Sequence, residues 1–181
     1  GQALVSDGTD ISWGSAGATT LGGLTDCTTS TNSVYVGTAP GSISGANYNV
    51  SVGIDALEDI TSGDYNTCVG IEAGKTITTG SNNLVIGAFA GGALLDSSLN
   101  TVVGDEALGI ATDSYKTTAI GYRAMQKHNS GAGNVAIGHE CMMSNTDQTN
   151  TFDSGVGIGV NCLRDLTTGD NNVAVGAECS R

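Results

Sequence analysis

The chain is poor in aromatic residues, in proline and in positive charge. Aromatic side chains make up 4% of its 181 residues, too few for the core of an ordinary globular domain. Pro40 is the only proline, which suits a structure in which every segment donates backbone hydrogen bonds to a sheet. Lys and Arg number 6 against 18 Asp and Glu, and the net charge of −12 disfavours nucleic acid and anionic membranes as partners.

The residue patterns of metal, cofactor and catalytic sites are also missing. No apolar run reaches the length of a transmembrane helix, and the five cysteines form no Cys-x-x-Cys motif. The only histidines, His128 and His139, occupy different positions of the repeat described below, so they form no stacked pair or triad. We therefore predict no cofactor, no metal, no catalytic residues and no enzyme activity.

Glycine, in contrast, recurs at a nearly fixed interval. The repeat glycines are Gly37, Gly53, Gly70, Gly87, Gly104, Gly121, Gly138, Gly159 and Gly176. Successive steps are 17 residues long except the first, of 16, and the step of 21 between Gly138 and Gly159. A period this short is typical of stacked coils. Glycine suits a corner of such a coil, because it adopts positive φ and lets neighbouring backbones approach closely.

The residues around each glycine follow the pattern Asn-x-x-Val/Ile-Gly-x-x-Ala. The β-branched residue before the glycine, such as Val69 or Ile86, favours a strand, and we expect this row to form an inward ladder. The small residue three places after the glycine, Ala or Cys in most coils, predicts a thin interior. The Asn four places before it, such as Asn83, can bond the same Asn of the next coil.

These patterns predict an all-β fold, a parallel β-roll or β-helix of about nine 17-residue coils. A second turn, such as Ser62–Asp64, lies about ten residues after each glycine, so each coil has two short strands and two turns. The 28 glycines and the absence of a helical apolar period argue against a helical repeat. Residues 31–181 form the repeat domain, and residues 1–30 form a connector or an N-terminal cap. So slim an interior predicts lateral oligomerisation.

Two further rows of residues have competing interpretations. The residue two places after the glycine is acidic in five coils: Asp55, Glu72, Glu106, Glu140 and Glu178. Such a row could bind calcium. We favour a solvated outer face, because Phe89, Arg123 and Asn161 interrupt the row and the calcium-roll pattern is missing. Cys141, Cys162 and Cys179 share one position in consecutive coils and are predicted to be buried, reduced thiols.

One coil is expanded by four residues within 142–154. Coil insertions cluster on binding faces, so this loop is the best candidate for a contact site, although a tolerated bulge is the simpler interpretation. The candidate contact residues are Ser144, Asn145, Asp147, Gln148 and Asn150. We expect them to lie at the surface.

The repeat copies, such as Asn134–Gly138 and Asn172–Gly176, resemble the head repeats of YadA-like trimeric autotransporter adhesins. They are equally similar to repeats in the fibre proteins of bacteriophages and large DNA viruses, as is the leader Gly1–Gly14. The resemblance implies a left-handed parallel β-roll that assembles as a homotrimer. It further implies a segment of a viral tail or surface fibre at the virion surface, for attachment to a host glycan or protein. The coils are longer than the usual adhesin repeat, and we expect no stalk or anchor to follow, so a viral fibre is favoured. An adhesin head at the bacterial cell surface is the alternative. A carbohydrate-active β-helix enzyme is the third.

Overall fold

A computed structural model describes residues 2–6, 11–15, 27–30, 32–144 and 150–179, and within these residues there are strands and turns but no helix. The strands are β1 (Gln2–Ser6), β2 (Ile11–Ser15), β3 (Cys27–Ser30), β4 (Ser33–Gly37), β5 (Val50–Gly53), β6 (Thr67–Val69), β7 (Leu84–Ile86), β8 (Thr101–Val103), β9 (Asp113–Tyr115), β10 (Thr118–Ile120), β11 (His128–Ala132), β12 (Val135–Ile137), β13 (Asn150–Thr151), β14 (Val156–Ile158) and β15 (Val173–Val175). The all-β prediction is confirmed.

The strands stack as a parallel β-solenoid of about eight turns. One strand from each coil enters a sheet of 10 strands, in the order β15-β14-β12-β10-β8-β7-β6-β5-β4-β3. All pairs in this sheet are parallel except β3 with β4. A second parallel sheet of 3 strands, β13-β11-β9, is formed by the second half of the coils that begin at Gly104, Gly121 and Gly138.

Equivalent residues of successive coils lie directly beside one another. Val69 pairs with Ile86, and Ile86 pairs with Val103. Each position of the repeat therefore becomes a row that runs along the solenoid, and the rows can be assigned to its interior or its surface.

The repeat glycines form the predicted corners. Gly53 has a φ of +144° and Gly121 a φ of +133°. A Cβ atom on Gly53 would lie 2.3 Å from the carbonyl oxygen of Gly70. Both the positive φ and the close backbone approach were expected from the sequence, and both are confirmed.

The prediction that the Val/Ile row points inward is wrong. Val52 is 41% exposed and Ile86 is 37% exposed. The buried row lies one residue earlier and consists of Tyr35, Ser51, Cys68, Val85, Val102, Ala119, Ala136, Gly157 and Ala174. Side chains alternate between the faces of a strand, and the Asn two places before this row is also buried. The Val/Ile residue must therefore point outward.

The interior is thin, as the small residues predicted. The row three places after the glycine is fully buried from Ala56 to Cys162. The next row holds Leu57, Leu108, Met125 and Leu163, all at most 3% exposed. A third buried row, seven places after the glycine, begins with Ile60, Ile77 and Leu94. Short side chains on one wall and longer ones on the other fill the space between the two faces of the coil.

The Asn row forms the predicted hydrogen-bond ladder. The side-chain oxygen of Asn66 accepts from the backbone N–H of Asn83 and from its Nδ2, both at 3.0 Å. The same Nδ2 donates to the carbonyl of Ser97 at 2.9 Å. Asn100 continues the ladder, and Thr117 N–H then donates to its side-chain oxygen. The ladder fixes the coil spacing from within the buried core.

The end of the N-terminal segment covers one edge of the large sheet. Strand β3 pairs antiparallel with β4, with Thr28 opposite Tyr35. Antiparallel pairing occupies an edge that would otherwise expose backbone donors and acceptors. Residues 27–30 therefore pair along the outer edge of β4, whereas β1 and β2 form a separate antiparallel pair. The choice between a connector and a cap for residues 1–30 stays a prediction.

Two of the three aligned cysteines are joined. Cys162 and Cys179, 17 residues apart with Cα atoms 4.8 Å apart, form a disulfide, so the prediction of reduced thiols is wrong for this pair. The stacking of equivalent positions brings their Cα atoms within bridging distance. Cys141 is free and buried as predicted, and burial raises the pKa of its thiol to about 11.

Candidate interaction surface

The outer side of the large sheet is an uncharged, mainly apolar surface, which we call the outer apolar face. It consists of two outward-pointing residues from each parallel strand: Val34, Val36, Val50, Val52, Thr67, Val69, Leu84, Ile86, Thr101, Val103, Thr118, Ile120, Val135, Ile137, Val156, Ile158, Val173 and Val175. All are exposed or half-buried, and the only polar groups are three threonine hydroxyls. This face carries no charge in a chain whose net charge is −12.

This surface was not predicted from the sequence, because the Val/Ile row was expected to lie in the interior. The signal that could have found it was the period of two along the strand. Side chains alternate along a strand. If the Asn is buried, the residue two places later is also buried, and the residues one and three places after the Asn point outward. Apolar character alone could not distinguish a core row from an interface row.

Four of the five carboxylates in the acidic row are in ion pairs. The Lys75 ammonium lies 3.1 Å from the Glu58 carboxylate, 3.4 Å from Asp55 and 3.8 Å from Glu72. Its hydrogen bond to Glu58 raises the pKa of Lys75. Arg123, which interrupts the row in the sequence, donates from Nε to Glu106 of the preceding coil at 2.8 Å.

A similar ion pair between neighbouring coils lies two coils further on, where the Arg164 guanidinium is 2.8 Å from the Glu140 carboxylate. Within the described part of the chain, no group of three or more His, Cys, Asp or Glu side chains could hold a metal ion. The geometry therefore gives Asp55, Glu72, Glu106 and Glu140 a cationic side-chain partner at partly exposed positions, which agrees with the solvated outer face that the sequence favoured.

The expanded coil is only partly described. Ser144 is buried, so the surface position expected for it is wrong. The chain enters the insertion beneath the surface, where the Met143 carbonyl accepts a hydrogen bond from Asp165 N–H at 3.0 Å. Asn145, Asp147 and Gln148, and the side chain of Asn150, lie outside the described residues, and their contact role stays a prediction.

A buried histidine lies in the coil that precedes the expanded coil and contacts it. His128 occupies the row that holds Ile60, Ile77 and Leu94 in other coils, and it is fully buried. Its ring contacts Phe152 edge-on, with centroids 4.6 Å apart. Among the described residues, neither ring nitrogen has a hydrogen-bond partner of normal geometry. Burial lowers the pKa of His128 to about 4, although the Phe152 carbonyl and Asp153 partly oppose this effect.

His128 is expected to make the stability of the solenoid depend on pH. The unfolded chain binds a proton near pH 6.5 and the folded chain only near pH 4, so stability falls as pH decreases through this interval. Over the whole interval the loss is roughly 3 kcal/mol. Urea unfolding of the wild type and of His128→Leu at several pH values measures it. The variant should lose much less stability than the wild type, and equal losses would contradict the assignment.

No described helix has the length and apolarity needed to span a bilayer. Comparison with protein-family models, with curated proteins and with solved structures finds no match for this chain.

Proposed function

We propose that this chain is a structural attachment segment, a rigid homotrimeric spike module of a viral tail or surface fibre. The observation that carries the proposal is the outer apolar face. In this proposal the module stands at the virion surface and presents its remaining faces to a host glycan or protein. The fibre context and the number of three subunits come from the sequence resemblance, whereas the need for a partner comes from the face.

The parallel type of the large sheet indicates that its outer face is covered by a partner. Parallel sheets in folded proteins are almost always covered on both faces. In this chain the inner face of the large sheet packs on the thin core, while the outer face is left to solvent. An uncharged apolar surface of this extent marks an interface. Its nine strands, about 4.8 Å apart, span about 38 Å along the solenoid.

The shape of the face favours copies of the same chain. Its side chains lie in straight rows with one register from coil to coil. Equivalent rows of identical chains can pack along their whole length around a common axis, and most soluble oligomers are symmetric in this way. Such an assembly stiffens the module, because each slim coil then gains a second apolar contact layer.

Charge on the outer apolar face is expected to abolish assembly. The variant I86K/I120K places two cations in the middle of the face without touching the core. Each would have to be desolvated in the interface, which costs several kcal/mol. Sedimentation equilibrium should give the wild type three times its 18.0 kDa chain mass and the variant a single chain mass.

The matched control places lysines at exposed positions outside the face, in S62K/T79K. This control should retain the wild-type mass. A monomeric wild type would overturn the proposal, and an I86K/I120K variant that still assembles would show that another surface forms the oligomer.

A further inference from the structure

A groove lies on the surface across the coils that begin at Gly87, Gly104 and Gly121. It has a volume of about 340 Å³ and is lined by Phe89, Glu106, Gly109, Ile110 and Gln126. Phe89 is 46% exposed and Ile110 is 50% exposed, so both apolar side chains stand open at its walls. The volume is at the lower end of the range of small-molecule sites, about 300–1,000 Å³.

The groove exists because two successive coils lack a side chain at one position. Five places after the repeat glycine the row reads Glu58, Lys75, Gly92, Gly109 and Gln126. A Cβ atom on Gly92 would lie 2.9 Å from the Gly109 carbonyl, so packing requires that glycine. On Gly109 it would lie 3.2 Å from the Glu106 carbonyl and 3.6 Å from Gln126 Cγ, a much milder restriction.

Phe89 adopts a conformation that is unfavourable for its type. Its φ is +55°, in the left-handed region that large side chains avoid. Asn161 occupies the same position four repeats later with a φ of +52°, and Asn tolerates this region well. The positive φ belongs to the whole row, since Glu106 and Arg123 have φ values of +54°. Phe89 therefore differs from the polar or charged residues at this position of the following coils by its exposed ring and not by its backbone.

The Arg123 guanidinium, the Glu106 carboxylate and the Gln126 amide are hydrogen-bonded to one another beside the groove. Arg123 donates to both oxygens of the Glu106 carboxylate, from Nε at 2.8 Å and from its terminal nitrogen at 3.4 Å. Gln126 Nε2 also donates to this carboxylate. The bonds hold the three groups in fixed positions, so their remaining donors and acceptors are preorganised for a ligand.

We propose that this groove binds one neutral sugar residue of a host glycan, which stacks an apolar C–H face on Phe89 and bonds through its hydroxyls to Glu106 and Gln126. A hexose ring combines apolar faces with hydroxyl donors and acceptors around its edge, which matches an aromatic wall beside planar amide and carboxylate groups. The assignment deepens the attachment role proposed above and rests on it.

The charge of the protein restricts the sugar to a neutral one. Glu106 is already paired with Arg123, so the groove offers no unpaired cation to a carboxylate or sulfate. The net charge of −12 also repels an acidic glycan. An apolar peptide side chain would use Phe89 and Ile110 alone and would leave the polar groups without a role.

The test uses the full chain and an array of oligosaccharides that end in neutral hexose or N-acetylhexosamine, with sialylated versions beside them. Titration of the best neutral ligand should give saturable binding. Phe89→Asn should weaken it at least about tenfold, about 1.4 kcal/mol, and Phe89→Tyr should retain it. Phe89→Asn suits the positive φ, so its thermal unfolding temperature should not fall, and lost binding then reflects the lost ring.

Gln126→Met distinguishes a sugar from an apolar peptide. Met143 occupies the same row one coil later, so the substitution fits the fold while removing the amide. It should weaken a sugar and leave an apolar peptide unaffected. Absence of neutral saccharide binding, binding indifferent to Phe89→Asn, or preference for sialylated ligands would each overturn the groove assignment. Molecular mass tests the spike proposal separately, since a trimer whose groove binds nothing refutes only the sugar site.

Discussion

Replacing Gly87 by alanine is expected to lower the free energy of unfolding by about 3–6 kcal/mol. A Cβ atom at this position would lie 2.4 Å from the carbonyl oxygen of Gly104 and 2.6 Å from its carbonyl carbon. The φ of +134° also has no low-energy counterpart for alanine. The coils would have to separate at this corner, which strains the bond from Gly87 N–H to the Val69 carbonyl at 2.8 Å.

Gly176→Ala is the matched control. Gly176 has nearly the same φ, +139°, but it lies in the last described coil and nothing lies within 4 Å of its Cβ position. This variant has the conformational strain without the steric clash, so its loss should be about 1–3 kcal/mol. Urea unfolding of both variants separates the two effects. Equal losses would show that close backbone approach is not what requires glycine at the corner.

The second large effect is expected for Asn83→Ala, which should lower the free energy of unfolding by about 2–6 kcal/mol. The side chain donates to the Ser97 carbonyl at 2.9 Å and accepts from Asn100 N–H at 3.1 Å. Alanine leaves this buried carbonyl and this buried N–H without partners, and each unsatisfied group costs about 1–3 kcal/mol. Asn83→Thr should lose less, because Thr117 occupies the same row in the wild type.

Asn172→Ala provides the comparison at the end of the ladder. Asn172 Nδ2 bonds the Gly169 carbonyl within its own turn, at an exposed site. Water can replace that bond, so the loss should be about 1 kcal/mol or less. Calorimetry of the two variants checks the difference. If Asn172→Ala were as damaging as Asn83→Ala, the ladder between coils would not be the source of the stability.

Both effects bear on the proposed spike. In a repeat protein each coil contacts only its neighbours, so stability is the sum of many similar contacts along one axis. A glycine corner and a buried Asn in each coil hold every neighbour at the same spacing. This regularity is also what keeps the outer apolar face straight enough to pack against another copy.

The corners, the ladder and the small interior row could be predicted because each depends on a local requirement repeated in the sequence. Only glycine accepts the φ and the approach seen at Gly53, and a stacked Asn such as Asn66 has an obvious partner one coil away. The direction of Val52 and Ile86 could not be predicted from their apolar character. A β-branched residue suits either face of a strand, and the choice depends on which face the other wall of the coil covers.

Burial and pairing across coils likewise needed the structure. His128 lies in the core row of Ile77, although histidine by itself predicts no position. Arg123 interrupts the acidic row in the sequence and neutralises Glu106 in space, since a step of 17 residues brings the two side chains together.

The sequence by itself determined that this protein is a stack of coils. Glycine, Asn and small residues that recur every 17 places require the same turns to be repeated along the chain. Tertiary structure decided which rows face outward, because side chains alternate along each strand. The Asn and the residue two places after it face the core, so the Val or Ile that follows them points outward. These Val and Ile side chains form the outer apolar face, and for that reason the protein presents an interface where the sequence indicated a core.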